Sequence, residues 1–189
     1  MPKLGMEPIR RAALVKATIA EIGEAGSLDV TVSRIAKRAG MSSALAHHYF
    51  GGKDQIFVAA MRQILRDYRA EVVAALRDVP QTGRAAAIIR ANFADSCFDP
   101  ATISAWMTFY VQAQTNPEAL RLLRLYQRRL RSNLTHALRG RTADPAEAAD
   151  MLAALIDGFY IRAALAKPDA DAEEKTLKLL RILKVGSDA

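Results

Sequence analysis

Ser42, Ser43, Ala44, Leu45, His47, His48, Tyr49 and Lys53 fall within one short stretch of the chain, and together they hold the chemistry needed to read a DNA duplex. Short side chains let a helix come close to base edges, while hydroxyl, imidazole and ammonium groups donate to bases and to phosphate oxygens. Ser42, Ser43, Ala44 and His47 are the groups expected to face the groove. Thr31, Arg34, His47, Tyr49 and Lys53 ring the same unit with donors suited to phosphates, where contacts fix register without reading sequence. Arg10 and Arg11, early in the chain, are placed to reach a neighbouring phosphate or the minor groove. Leu45 has two readings, contact with a thymine methyl or sugar, and ordinary packing.

Catalytic or metal chemistry finds no comparable constellation. His47 and His48 are adjacent on a short helix, so their side chains diverge by about 100° and do not readily share a metal, and His136 stands apart. Gly51-Gly52-Lys53-Asp54 lacks the spaced first glycine, the hydroxyl after lysine and the preceding strand of a phosphate loop. Cys97 is the single cysteine, which excludes an intramolecular disulfide and reads as a buried apolar thiol. Neither an enzyme nor a bound cofactor is expected.

Helices must position these groups. Over 189 residues the chain is 51% hydrophobic but only 6% aromatic, with Ala and Leu recurring throughout, a balance that favours an all-α protein. Apolar periodicity places a first helix over about residues 7–25, burying Leu14, Ala17, Thr18 and Ile22, with Gly26 as its stop. After a turn through Ser27, Leu28 and Asp29, Thr31 caps a helix of about nine residues, ended by Gly40. Ser42 caps a shorter one, ended by Gly51-Gly52. Two short helices joined by Ala39-Gly40-Met41-Ser42 follow the helix-turn-helix plan, the second helix entering the major groove. Isolated helices this short are marginal, so they must lean on the first helix and on the next, about 53–76. Further helices are expected over about 84–97, 100–115, 117–139, 144–166 and 171–184. Asp99-Pro100 and Asn116-Pro117 are junctions where proline suits a helix start. The expected division is a helix-turn-helix unit over 1–53 and a helical sensing and dimerisation unit over 54–189, with 54–78 as the connecting helix. The broad apolar faces of the last two helices suggest a homodimer closed by a four-helix bundle.

The net charge of +7 is concentrated in two places. One is residues 1–53, around the helix-turn-helix. The other is a run of seven arginines from Arg121 to Arg141, interleaved with Leu120, Leu123, Leu130 and Leu134, which reads as the wet face of an amphipathic helix. An interaction scaffold using that run is the reading of a different class. No apolar stretch approaches the roughly 20 residues of a membrane span, and the first seven residues lack the features of an export signal, so a cytoplasmic location is expected.

The segment Thr31-Val32-Ser33-Arg34-Ile35-Ala36-Lys37-Arg38-Ala39-Gly40-Met41-Ser42, followed by His48-Tyr49-Phe50-Gly51-Gly52-Lys53, resembles the DNA-binding region of the TetR family of one-component repressors. The resemblance covers roughly residues 8–65. At Ala44, Leu45, Ala46 and His47 the chain departs from the Gly, Thr, Leu and Tyr often found there, which leaves the operator sequence open. The leader over residues 1–6, Ala105-Trp106-Met107-Thr108-Phe109-Tyr110, Arg128 to Leu134 and Ala154 to Leu165 are similar to the choline-responsive repressors of glycine betaine synthesis within that family. This resemblance implies repression of choline uptake and oxidation genes from a near-palindromic operator, relieved by choline or a related quaternary ammonium ion. A TetR-type repressor answering another small apolar or cationic ligand is the alternative.

A quaternary ammonium has no hydrogen to donate, so its site needs aromatic faces and can add one carboxylate, each desolvated cation–π contact being worth up to about 2 kcal/mol. Trp106, Phe109 and Tyr110 share one flank of a helix, and Phe93, Tyr126, Phe159 and Tyr160 on other helices can close around them. Asp157 is the candidate carboxylate. The same aromatics also read as plain core, and Asp157 also reads as the partner of a buried Arg162 or as a subunit-interface residue beside Gly158.

Overall fold

The computed structural model describes residues 5–26, 29–166 and 169–185. Residues 1–4 of the leader, Ser27 and Leu28 of the first turn, and Lys167 and Pro168 before the last helix lie outside that range. The described residues form helices only: α1 (Met6–Ala25), α2 (Val32–Arg38), α3 (Ser43–Phe50), α4 (Lys53–Ala75), a 3-10 turn (Gln81–Gly83), α5 (Arg84–Phe93), α6 (Asp95–Phe98), α7 (Pro100–Gln112), α8 (Pro117–Leu138), α9 (Pro145–Leu165) and α10 (Ala172–Val185). None is long and apolar enough to cross a membrane.

Local chemistry sets most boundaries. Asp99, Asn116 and Asp144 each precede a proline at the first helical position, and each side chain accepts from the next two free amides, as Asp99 does from Ala101 at 2.9 Å and Thr102 at 3.1 Å. Thr31 and Ser42 cap α2 and α3 by accepting from the amides of Arg34 and Leu45, both at 3.2 Å. Between them Gly40 takes φ +68°, which a side chain would strain. That conformation lets the Met41 amide return to the Ala36 carbonyl at 2.9 Å and turns the chain sharply between the two helices.

One expected helix is broken. The span 84–97 divides because Ala94 adopts an extended conformation (ψ 146°), ending α5 and starting α6. The Tyr160 hydroxyl, from α9, donates to the Asn92 carbonyl at 2.6 Å and lies 3.2 Å from that of Cys97, so a side chain distant in sequence satisfies a carbonyl that the break would otherwise leave bare.

α1 packs against α2, α4 and α7, and α3 is held between α2 and α4. The buried apolar residues form one continuous core running from Leu14, Ile35 and Ala46 through Phe57 and Phe109 to Leu134, Ile156 and Leu180. At the α1–α7 crossing Gly23 is required by space: a Cβ there would lie 2.6 Å from Ala101 Cα. The helix-turn-helix therefore touches the rest of the molecule through α1 as well as through α4.

Candidate DNA-reading surface and ligand cavity

α3 buries Ala46 completely and turns Ala44, His47 and His48 outward, while Ser43, Leu45, Tyr49 and Phe50 are half-buried at its flanks. Its outer face is therefore open along the described chain. Leu45 lies between its two readings, partly packed and partly available. Ser42 uses an oxygen lone pair as a cap and keeps its hydroxyl hydrogen to donate, as does Thr31 at the start of α2. The His47 ring nitrogen Nδ1 lies 3.3 Å from the Gly51 carbonyl, so a proton there leaves Nε2 facing outward.

The basic side chains around α3 are partly committed within the protein. The Arg11 guanidinium stands over the rings of Tyr49 (5.5 Å) and Phe50 (5.1 Å) and pairs with Glu7, while Arg10 donates to the Tyr49 hydroxyl at 3.4 Å. These contacts brace the C-terminal end of α3 against α1. Lys53, at the start of α4, lies over Phe57 at 5.5 Å. Arg34 sits 2.9 Å from Glu21, a carboxylate buried inside the α1 stripe, and Arg38 pairs with both Glu21 and Glu24. The hydrogen bond from Arg38, with both arginine charges nearby, holds the Glu21 carboxyl below its ordinary range despite burial. Glu21 thus anchors α2 to α1, a role missed in the sequence although an acid at the seventh residue after Leu14 on a buried stripe was the available signal.

In the other half of the molecule a cavity of about 170 Å³ lies among α1, α4, α5, α6, α7, α8 and α9. Of the residues expected at a sensing site, Trp106, Tyr126 and Tyr160 line it, with Trp106 4.6 Å from Tyr126 and 6.4 Å from Tyr160 between ring centres. Phe109 is fully buried 5.9 Å from Trp106 between ring centres, and Tyr110 is half-buried at 6.2 Å from it. Phe93 stands outside the cavity lining, edge-on to Phe98 and Phe159. Asp157 lies behind the wall, accepting from the Tyr126 hydroxyl at 3.4 Å. Burial pushes its carboxyl up to about 6, against the opposing hydrogen bonds of Tyr110 and Tyr126. Arg162 is exposed and its charge acts on Asp169, so it is not the buried partner considered for Asp157.

Tyr68, Asn92, Cys97, Asp67 and Thr102 also line the cavity, beside Ile19, Ile64 and Ser96, and were not anticipated as site residues. Burial pushes the Tyr68 hydroxyl and the Cys97 thiol above their ordinary pKa values, so both stay neutral near pH 7. Asn92 had a legible signal: it is a polar residue four positions after Ile88, on the stripe α5 buries.

The sequence model described as the BetI-type transcriptional repressor C-terminal domain matches residues 80–183, and that of the TetR family of bacterial regulatory proteins matches residues 14–60. The HTH-type transcriptional regulator BetI of Brucella anthropi is 52% identical over 168 residues, 87% of each chain. The BetI regulator of Agrobacterium fabrum is 51% identical, with 87% of this chain and 82% of that one covered. Among solved structures, a transcriptional regulator from Rhodococcus sp. Rha1 superposes with a TM-score of 0.83 at 22% identity, covering 93% of this chain and 96% of that one. A regulator from Saccharomonospora viridis in complex with choline superposes with a TM-score of 0.76 at 21% identity, covering 91% and 94%. At those identities the two structures establish the shared fold.

Proposed function

Because the chain belongs to the BetI-type transcriptional repressors of the TetR family, we propose that it represses genes of choline uptake and glycine betaine synthesis and leaves its operator when choline binds. The observation that carries this reading is the cavity walled by Trp106, Tyr126, Tyr160 and Tyr68 with the Asp157 carboxylate behind Tyr126. Aromatic faces attract a quaternary ammonium that no hydrogen bond can hold, and a carboxylate of low hydration behind them supplies the counter-charge. A cavity of about 170 Å³ is smaller than the roughly 300–1,000 Å³ of drug-sized sites and suits an ion of choline's size. The choline complex of the Saccharomonospora viridis regulator, which shares the fold, is consistent with such an occupant.

In this reading residues 1–53 form the DNA-binding unit, residues 54–189 the sensing and dimerising unit, and the protein works in the cytoplasm, where the DNA is. Met151, Ile161 and Leu165 are exposed on one stripe of α9 with Gly158 between them, and Ile182 is exposed on α10. Pairing these faces across a two-fold axis buries them and sets two copies of α3 about 34–36 Å apart, or a multiple of that, on a near-palindromic operator. A ligand changes DNA affinity only by binding one arrangement better than the other. α7 carries Trp106 into the cavity wall and rests its first turn on Gly23 of α1, so the cavity has a second route to α3 besides α4. Titrating choline while following the fluorescence of Trp106, the single tryptophan, tests the sensor: a saturable change supports it, and an unaltered spectrum with no heat of binding rejects it.

A further inference from the structure

The arginine run of α8 is more than a solvated face, because part of it walls a cleft. Arg128, Ser132, Thr135 and Arg139 recur at intervals of three and four residues, so they share one side of α8, with Arg131 and His136 at its edges. That side lines a cleft of about 480 Å³ completed by the end of α4, the first turns of α5 and the start of α9. Arg84, the first residue of α5, enters the same cleft from a different helix and is half-buried there. The Gln81 side-chain amide donates to the His136 carbonyl at 3.0 Å, which ties the start of α5 to α8 and holds the two sources of charge in register.

Arg131 pairs with Asp150 at 2.6 Å. Arg84, Arg128 and Arg139 have no carboxylate partner among the described residues, and no Asp or Glu lines the cleft. Guanidinium groups keep their charge at any ordinary pH, and like charges gathered in one concave site focus their field on whatever enters it. Phosphate oxygens match the guanidinium fork two at a time, so three uncompensated arginines on two helices fit an anion with linked phosphates better than a single one. Ser132 adds a hydroxyl donor. The DNA-reading face lies elsewhere: Leu76, in the cleft wall, follows the 23 residues of α4, whose length of about 35 Å separates it from the α3 end of that helix. The cleft also shares no lining residue with the aromatic cavity. We propose that it is a second ligand site, taking a small molecule that carries a di- or triphosphate group, with Arg84, Arg128 and Arg139 as its binding residues.

Calorimetric titration of the full-length protein with orthophosphate, pyrophosphate and ATP, at fixed ionic strength in a phosphate-free buffer, tests the site. Pyrophosphate is expected to bind about 10-fold or more tightly than orthophosphate, since it reaches more of the guanidinium groups. ATP binding at least as tightly as pyrophosphate supports the site with a nucleotide as occupant, and ATP binding more weakly supports it with a smaller phosphate ester. Arg84→Gln and Arg128→Gln are each expected to lose about 10-fold in pyrophosphate affinity, the range of one charged hydrogen-bonding partner. Arg124→Gln removes the same charge from α8 outside the cleft and is expected to change affinity less than 2-fold. Thermal melting verifies that each variant is folded, and Arg128→Gln, at an exposed position, decides the matter if Arg84→Gln does not fold. Equal losses in all three variants, equal affinity for orthophosphate and pyrophosphate, or no heat of binding from either overturns the site. Weaker duplex binding in the cleft variants with pyrophosphate affinity unchanged overturns it in favour of a DNA backbone contact.

Discussion

Replacing Asp157 with asparagine removes a carboxylate that the aromatic wall touches through the Tyr126 hydroxyl while keeping nearly the same shape, and its effect on choline binding follows from where that charge sits. Opposite unit charges about 4 Å apart at an effective dielectric near 20 attract by roughly 4 kcal/mol, and the attraction falls inversely with distance. With the Tyr126 ring between the carboxylate and the cavity, about half of that, 2 kcal/mol, is expected, which is a roughly 30-fold loss of affinity in Asp157→Asn. The same charge makes binding pH-dependent. Burial raises the Asp157 carboxyl from 3.8 to about 6, and reciprocity requires a bound cation to pull it back toward the ordinary value. Choline affinity of the wild type is therefore expected to be level above about pH 7 and to fall as pH drops through 6, by up to the same 30-fold, whereas Asp157→Asn is expected to bind weakly with a flat profile. The neighbouring Tyr68, Tyr110, Tyr126 and Tyr160 hydroxyls and the Cys97 thiol are all raised by burial and stay protonated in this range. In the ligand-free protein the sign is opposite: a raised carboxyl contributes stability below its unfolded value that is lost as pH rises through about 6, up to about 3 kcal/mol. Calorimetry or Trp106 fluorescence between pH 5 and 8 measures the binding profile. A flat profile in the wild type, or an unchanged slope in Asp157→Asn, refutes the reasoning.

Glu21→Gln is expected to weaken the bridge to Arg34 and Arg38 and to cost about 1–3 kcal/mol, the value of charged hydrogen bonds to a buried group, read as a lower melting temperature and weaker DNA binding. Since the Glu21 carboxyl is held below 4.5, that contribution is present above pH 4.5 and is lost as pH falls through the lowered folded value, a loss that Glu21→Gln does not show. Gly23→Ala forces α1 and α7 apart at Ala101, and overpacking of this kind costs about 1–3 kcal/mol; the choline-induced change in DNA affinity should shrink along with stability, and an unaltered response to choline would disconnect this crossing from signalling. Lys53→Ala is expected to weaken binding to every duplex and to flatten the salt slope by about one, whereas Ala44→Ser should alter sequence preference at similar overall affinity. Gel shifts at several salt concentrations measure both.

The helices were legible wherever their ends are written locally. Asp99-Pro100, Asn116-Pro117, the Thr31 and Ser42 caps and Gly40 act within a few residues of themselves, and periodicity marked the buried face of α1, so the helix-turn-helix and the order of the helices could be read directly. The break at Ala94 could not, because it depends on the Tyr160 hydroxyl meeting the Asn92 carbonyl 68 residues away. The cavity was half legible for the same reason. Trp106, Tyr126 and Tyr160 declare themselves by residue type, but that Tyr68 faces them while Phe93 turns toward Phe98 and Phe159 is fixed by how α4 and α5 meet α9. Glu21 and Asn92 show how such sites can be found: each is a polar residue in register with a buried apolar stripe.

The most direct test is the fluorescence anisotropy of a labelled duplex from the region upstream of the chain's own gene, titrated with the protein at fixed salt, with and without choline. Tight binding relative to a scrambled duplex, weakened by choline in the wild type and much less in Asp157→Asn, is the predicted result. Equal binding to both duplexes, or operator binding that choline leaves unchanged at saturation, contradicts a repressor released by this cavity's occupant.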